Sequence, residues 1–348
     1  MTPKGIGNTA GKALLVLCSL LLSLCVLELA VRGLARLTSQ ERVITPDNIL
    51  GWRLIPYAKT FHQRDVWAYH VAINSKGLRD RERSYDKPAG IFRIVVMGDS
   101  MVFGSGGVEV PDRFTDILER STENVEVINM GVPGYGADQE YLYLKTEAFK
   151  YHPDLVVFCA FFNDFDESFS AINPGSGRPK GYFSLSAGQL VFHSPSFSMF
   201  YKLSQDTYLL GLADVALRKI SGAYRRLYRR PGLVLDPEAR LATFTRLYTS
   251  AAELCRQHGS EFVILYLPYP GQVSTINIQQ VMDDLAATDN IRTLDLMDTM
   301  QRAQAVSPAY FRNDIHLNKY GHQVVANALH GYLIANDLVV PHVAAIHK

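Results

Sequence analysis

Cysteine is scarce. The 348-residue chain has four, and two of them, Cys18 and Cys25, fall in one apolar run near the N-terminus. Cys159, in a second apolar run, and Cys255, in a helical pattern, are too few for a disulfide framework. Both read as small core hydrophobes, with a bridge between them left open. An excess of charge is lacking too: 35 Lys and Arg face 34 Asp and Glu, which gives no support to a nucleic-acid binder. There is no internal repeat, no C-x-x-C or H-E-x-x-H metal pattern and no G-x-x-x-x-G-K-S/T phosphate loop. A dinucleotide fingerprint starting at Gly104 fails because Glu109 stands where a glycine belongs. These absences imply no cofactor and no metal. What is present is apolar and aromatic: 47% hydrophobic residues, with 18 Tyr and 17 Phe, exclude a disordered chain. The length suits one large domain or two small ones, with ample surface to close a core.

Charge is spread unevenly. Residues 1–42 carry five basic and two acidic side chains, residues 200–230 seven and two, and the remainder is net acidic. The first basic segment surrounds Ala13 to Val31, nineteen residues whose one charge is Glu28. At about 1.5 Å per residue such a helix spans about 28 Å, close to the hydrocarbon thickness of a bilayer. A cleaved signal peptide is the rival reading, but its apolar region is normally about 7–15 residues and ends at a small-x-small site. Here Arg32 follows the run at once, and the leucines before Cys18 and Cys25 do not suit a lipoprotein site. A retained anchor over residues 1–42 is expected. The flanking charge is nearly symmetrical and does not fix orientation.

Beyond the anchor, strands alternate with helices. Ile91–Met97, Val125–Ile128, Leu155–Phe161, Phe262–Leu267 and Ile291–Leu294 are short, continuous apolar runs, as suits strands buried on both faces of a parallel sheet. Helical patterns lie near 112–121, 137–150, 238–258, 276–287 and 319–335. This alternation predicts an α/β fold with a central parallel sheet and helices on both sides. Ligands in such sheets bind beyond the C-terminal ends of the strands. Polar groups cluster there: Gly98-Asp99-Ser100 after the first run, Asn129-Met130-Gly131-Val132-Pro133-Gly134 after the second, Phe162-Asn163-Asp164 after the third, and Asn313-Asp314-Ile315-His316 before the last helix. A serine becomes nucleophilic beside an oriented histidine, and acyl chemistry needs donors aimed at the developing oxyanion. Gly134 lets its backbone N–H approach a substrate closely, and Asn163 offers an amide donor that cannot ionise. Val102, where an α/β-hydrolase elbow has its second glycine, removes that alternative.

These four blocks, in this order over roughly residues 91–335, resemble the SGNH hydrolases, also called GDSL esterases and lipases. The resemblance implies a three-layer α/β/α sandwich of flavodoxin-like type and acyl-ester hydrolysis or transfer without a metal. It makes Ser100 the nucleophile and His316 the general base and then acid. The backbone N–H groups of Ser100 and Gly134, with the Asn163 amide, become the oxyanion hole. Two departures stand out. Asn313 occupies the position three before the histidine where Asp is usual, so the triad acid falls to Asp314, two before it. Phe161-Phe162 replaces the usual glycines ahead of Asn163-Asp164 and makes that pocket wall bulkier.

Plainer roles exist for the same residues. Serine is a favoured helix N-cap, Asn163 and Asp164 suit turns, and Asp164 reads as structural, as do His152 and His322. The domain expected is 91–340, preceded by a lead-in over 43–90 that contains NSKGLRD and interrupted by an insertion at about 165–235. In that insertion, Arg218–Arg230 reads most simply as a solvated helix face. A segment lying on anionic headgroups and a docking patch for acidic polysaccharide are the alternatives. The expected protein is a single-pass bacterial inner-membrane esterase whose domain lies outside the cytoplasm. Its expected substrate is an acyl ester, with an O-acylated glycan favoured over bulk lipid. An O-acyltransferase of envelope polysaccharide assembly and a non-catalytic binding protein of the same fold are the alternatives.

Overall fold

The computed structural model describes residues 6–38, 42–64, 67–220, 237–269, 278–289 and 291–339. It divides into two units, Met1–Glu41 with Phe197–Leu227, and Arg42–Ser196 with Tyr228–Lys348. The smaller unit starts with helix α1 (Ile6–Leu37). Its stretch Thr9–Leu37 is long and apolar enough to cross a membrane.

The larger unit opens with two antiparallel pairs, β1 (Ile44–Asp47) with β2 (Gly51–Leu54) and β3 (Lys59–Arg64) with β4 (Trp67–Ala72). The main sheet follows: β5 (Phe92–Gly98), β6 (Val125–Gly131), β7 (Leu155–Phe161), then β10 (Glu261–Leu267) and β11 (Arg292–Asp295). All five are parallel, in the order β11-β10-β7-β5-β6. The sheet's first strand therefore lies between its second and third, the flavodoxin-like order, and the crevice opens where that order reverses, between β5 and β7. The antiparallel hairpin β8 (Tyr182–Ser186) and β9 (Gln189–His193) lies apart from this sheet.

Alternate residues of each strand enter opposite cores, as a side-chain period of two requires. Val95, Val156, Phe158, Ile264 and Tyr266 pack with Leu144 of α4 (Ala137–Thr146), Phe244 and Tyr248 of α8 (Pro237–Gln257), and Leu285 of α9 (Ile278–Asp289). Ile94, Val96, Val157, Cys159 and Leu265 pack with Phe114 of α3 (Phe114–Arg120), Met300 of α10 (Met297–Val306), and Val325 and Leu329 of α11 (Lys319–Ala335). Two helical layers thus enclose the sheet, giving the three-layer α/β/α sandwich. Cys159 and Cys255 are free and buried in opposite cores.

The lead-in is woven into this unit. Trp52 is buried in the first core, its carbonyl accepts from the Tyr135 hydroxyl, and the Leu50 carbonyl accepts from the Gln139 amide. Arg79, fully buried, donates to the carbonyls of His70, Phe103, Gly104 and Val108. Asp80 pairs with Arg83 and accepts from the Asn129 N–H.

Some elements had no counterpart in the sequence patterns. α10 buries only Met300 and Ala303, too few apolar positions for a helical period to show. The strands at 44–72 and 182–193 are short pairs outside the main sheet. The insertion carries, in the smaller unit, α6 (Met199–Asp206) and α7 (Tyr208–Ile220). The basic stretch begins at the end of α7, and its continuation from 221 lies outside the described residues.

Candidate active site

The turn after β5 feeds directly into the short helix α2 (Ser100–Phe103). Asp99 caps it, its Oδ1 accepting the Met101 N–H at 2.8 Å. Ser100 is the first helical residue rather than the cap, which leaves its hydroxyl available to another partner. That partner is His316, whose Nε2 lies 2.9 Å from Ser100 Oγ although 216 positions separate the two residues.

The other ring nitrogen, Nδ1, lies 2.5 Å from Asp314 Oδ1, which also accepts the backbone N–H of His316 at 3.0 Å. Asp314 Oδ2 accepts the indole N–H of Trp67 at 3.0 Å. Partial burial opposes the charge on Asp314, but the hydrogen bonds and charge of His316, with the Trp67 bond, hold its carboxyl well below the usual carboxylate range. An ionised Asp314 keeps the proton on Nδ1, so Nε2 is the bare nitrogen that accepts from the serine. Asn313 is exposed and left-handed, with φ 58°, a conformation asparagine tolerates, while Asp314 faces the ring. Gly106, at φ 86°, lies against the histidine: a Cβ there would come within 2.6 Å of His316 Cβ.

Asn163 follows β7 and precedes the short helix α5 (Asp164–Glu167). Its Nδ2 lies 3.3 Å from Asp99 Oδ2, the same oxygen that Ser100 Oγ approaches at 3.3 Å. The amide and the hydroxyl are therefore brought to one buried carboxylate. Asp164 accepts the Phe161 N–H at 2.7 Å, which tightens the turn. Gly134 has φ 79°, a left-handed conformation that favours glycine, and its carbonyl accepts from Asn173 Nδ2 at 2.9 Å.

Trp67, Asn173 and Glu167 carry no motif. Trp67 belongs to the β3–β4 pair, 247 positions from Asp314. Asn173 sits in the Pro- and Gly-rich stretch, where asparagine reads as a turn residue. Glu167 interacts with the side chains of both Asn163 and Asn173, and burial, then the charge of Asp99, pushes its carboxyl up to about 8. Deeper still, Glu140 and Asp164 are raised well above the carboxylate range, first by burial and then by neighbouring acids. His322 accepts the Phe114 N–H, and burial followed by the charges of Arg113 and Arg79 pushes it down to about 3. It is a neutral packing residue.

An oriented imidazole bonded to a serine hydroxyl, at the strand ends beside the crevice, is an arrangement that can form and resolve an acyl-enzyme. Among solved structures, the chain is similar to a lipase/acylhydrolase from Enterococcus faecalis, with 16% identity and a TM-score of 0.43 over 71% of this chain and 97% of that one. It is also similar to a member of the lipolytic protein G-D-S-L family from Veillonella parvula, with 15% identity and a TM-score of 0.39 over 68% and 95%. No curated protein matches it. Residues 96–324, about two thirds of the chain, match the model of the GDSL-like Lipase/Acylhydrolase family. The chain belongs to that family of ester hydrolases.

Proposed function

We propose that the protein is a membrane-tethered serine esterase that removes acyl groups from an O-acylated envelope glycan, with its domain outside the cytoplasm. The observation that carries the chemistry is the 2.9 Å approach of His316 Nε2 to Ser100 Oγ, with Asp314 on the far nitrogen. In this reading Ser100 Oγ attacks the ester carbonyl while its proton passes to His316 Nε2. The negative charge that develops on the carbonyl oxygen is met by the N–H groups of Ser100 and Gly134 and by the Asn163 amide. As the tetrahedral intermediate collapses, the imidazolium returns the proton to the leaving sugar oxygen. Water, deprotonated by the same nitrogen, then attacks the acyl-serine and releases the carboxylic acid. An acceptor alcohol in place of that water would give acyl transfer from the same intermediate.

Half-buried aromatic rings support the choice of a glycan. Phe162, beside Asn163, stacks on Tyr269 with centroids 5.9 Å apart, and Trp67 stands behind Asp314. Rings with an apolar face are the surfaces on which sugars pack. Retention of the N-terminal helix is supported by contacts within its own unit: Glu28 accepts from the backbone of residues 208 and 209.

The test is release of acetate from an O-acetylated polysaccharide and of nitrophenol from short acyl esters. Both should be lost in Ser100→Ala, together with labelling by a fluorophosphonate. A wild-type protein that neither hydrolyses the esters nor takes the label would end the esterase reading. Adding an acceptor sugar to the same assay measures transfer against hydrolysis.

A further inference from the structure

Glu28 is the one charge within the apolar run of α1, three residues from its end. A carboxylate at that depth in a bilayer needs partners, and the chain supplies them from the insertion. Glu28 accepts the backbone N–H of Tyr208 at 2.8 Å and of Leu209 at 3.0 Å, the first two donors of α7. Those donors have no partner inside their own helix, and the N-terminal end of the helix dipole favours a negative charge. Arg32, one turn along α1, pairs with Glu28 at 2.8 Å, donates to the Asp206 carbonyl at 2.6 Å and lies over the Tyr208 ring.

The contacts run in opposite senses along the two segments. Arg32 meets residue 206 and Glu28 meets 208 and 209, so the chain advances along α1 from the charged flank toward the apolar run. From there α7 continues for 13 residues, about 20 Å. Two apolar side chains one turn apart on it, Leu212 and Val215, are 60% and 47% exposed. Its acid, Asp214, is buried. An apolar face held against a membrane-crossing helix has one solvent at that depth.

We propose that α7 is a lipid-contacting element docked on the anchor through Glu28, with Leu212 and Val215 among acyl chains. This rests on retention of α1 as an anchor, and the two can be separated. Take the full chain with Cys18→Ala and Cys25→Ala, in which the remaining Cys159 and Cys255 are buried, and add one cysteine at Leu212, at Leu22 in mid-anchor, or at exposed Ala89. Each is labelled with an environment-sensitive fluorophore in phosphatidylethanolamine–phosphatidylglycerol vesicles that carry nitroxide on the acyl chains. The label at 212 should be blue-shifted and quenched as strongly as that at 22, while the label at 89 stays unquenched. In Glu28→Ala the 212 label should lose its quenching and the 22 label keep it.

An aqueous 212 label beside a quenched 22 label overturns the proposal and leaves the anchor standing. So does a blue-shifted 212 label that nitroxide does not quench, which would place a protein surface, such as a second copy of the chain, on that face. Quenching that survives Glu28→Ala removes the docking role of Glu28. Loss of the N-terminal residues from the intact mass overturns anchor and docking together.

Discussion

Ser100 is an ordinary hydroxyl until His316 offers it a bare nitrogen, and that nitrogen is bare because Asp314 fixes the proton on the other side of the ring. Ser100→Ala should therefore remove measurable turnover of acyl esters, leaving on the order of 10³–10⁴-fold over water from binding and the oxyanion donors. Asp314→Asn should lower kcat by about 10³–10⁴-fold, because the amide stabilises the wrong tautomer. Asn313→Gly, which keeps the left-handed backbone at φ 58°, should leave kcat within about twofold, as exposed substitutions generally do. The reverse order in steady-state kinetics would move the acid's role to 313. Trp67→Phe keeps the ring and deletes the bond to Asp314 Oδ2. A hydrogen bond to a charged group contributes roughly 1.5–3 kcal/mol, so a fall in kcat of about ten- to a hundredfold is expected with KM little changed. Ser100, Asn163 and His316 are legible because their neighbours form short motifs. Trp67 is not, because an indole in a short, half-exposed strand carries no local mark of the carboxylate it will meet.

The elements divide by how their burial is written in the chain. β7 is buried at all seven positions and reads as a continuous apolar run. β4 alternates exposed and buried positions and borders no run that marks it as part of the larger unit. Its importance, with the NSKGLRD segment, is that it carries Trp67 and braces the end of α2 through Arg79. That guanidinium serves carbonyls at both residue 103 and residue 104, at the end of α2. Arg79→Met fills the volume but leaves those buried carbonyls without donors. A loss of about 3 kcal/mol or more is expected, as a lower urea midpoint at unchanged m-value. A shift below about 1 kcal/mol would mean that the lead-in is dispensable to the fold.

At the scale of the whole molecule, stability should fall as pH rises, because of buried acids close to Asp99. Glu167 sits at about 8 in the folded chain against 4.5 for the free side chain, and Glu140 and Asp164 are raised in the same direction. Between the two values the folded chain holds a proton that the unfolded chain has released. Stability is thus full below the unfolded value and falls as pH rises toward the folded one, by about 1.4 kcal/mol per pH unit for each such group. Melting temperature should drop between about pH 5 and 8, and less steeply in Glu167→Gln, which stays neutral throughout. Equal slopes for the two proteins would show that Glu167 does not hold its proton in the folded state.

Order along the chain already specifies a membrane-length helix, five buried strands alternating with helices, and polar blocks at the strand ends. Each depends on local composition and period, which neighbours in sequence supply. The convergence of residues 67, 100, 163, 314 and 316 does not follow from that order. It is set by the exchange of the first two strands in the sheet, which opens a crevice between β5 and β7, and by the packing of the last helix beside α3 in the core that also holds Met101 and Val102. The same holds for Glu28: an acid in an apolar run reads as a cost until a helix 180 positions later presents the N–H groups of its first turn to it. Such pairings arise from long-range packing, and no window of sequence contains both partners.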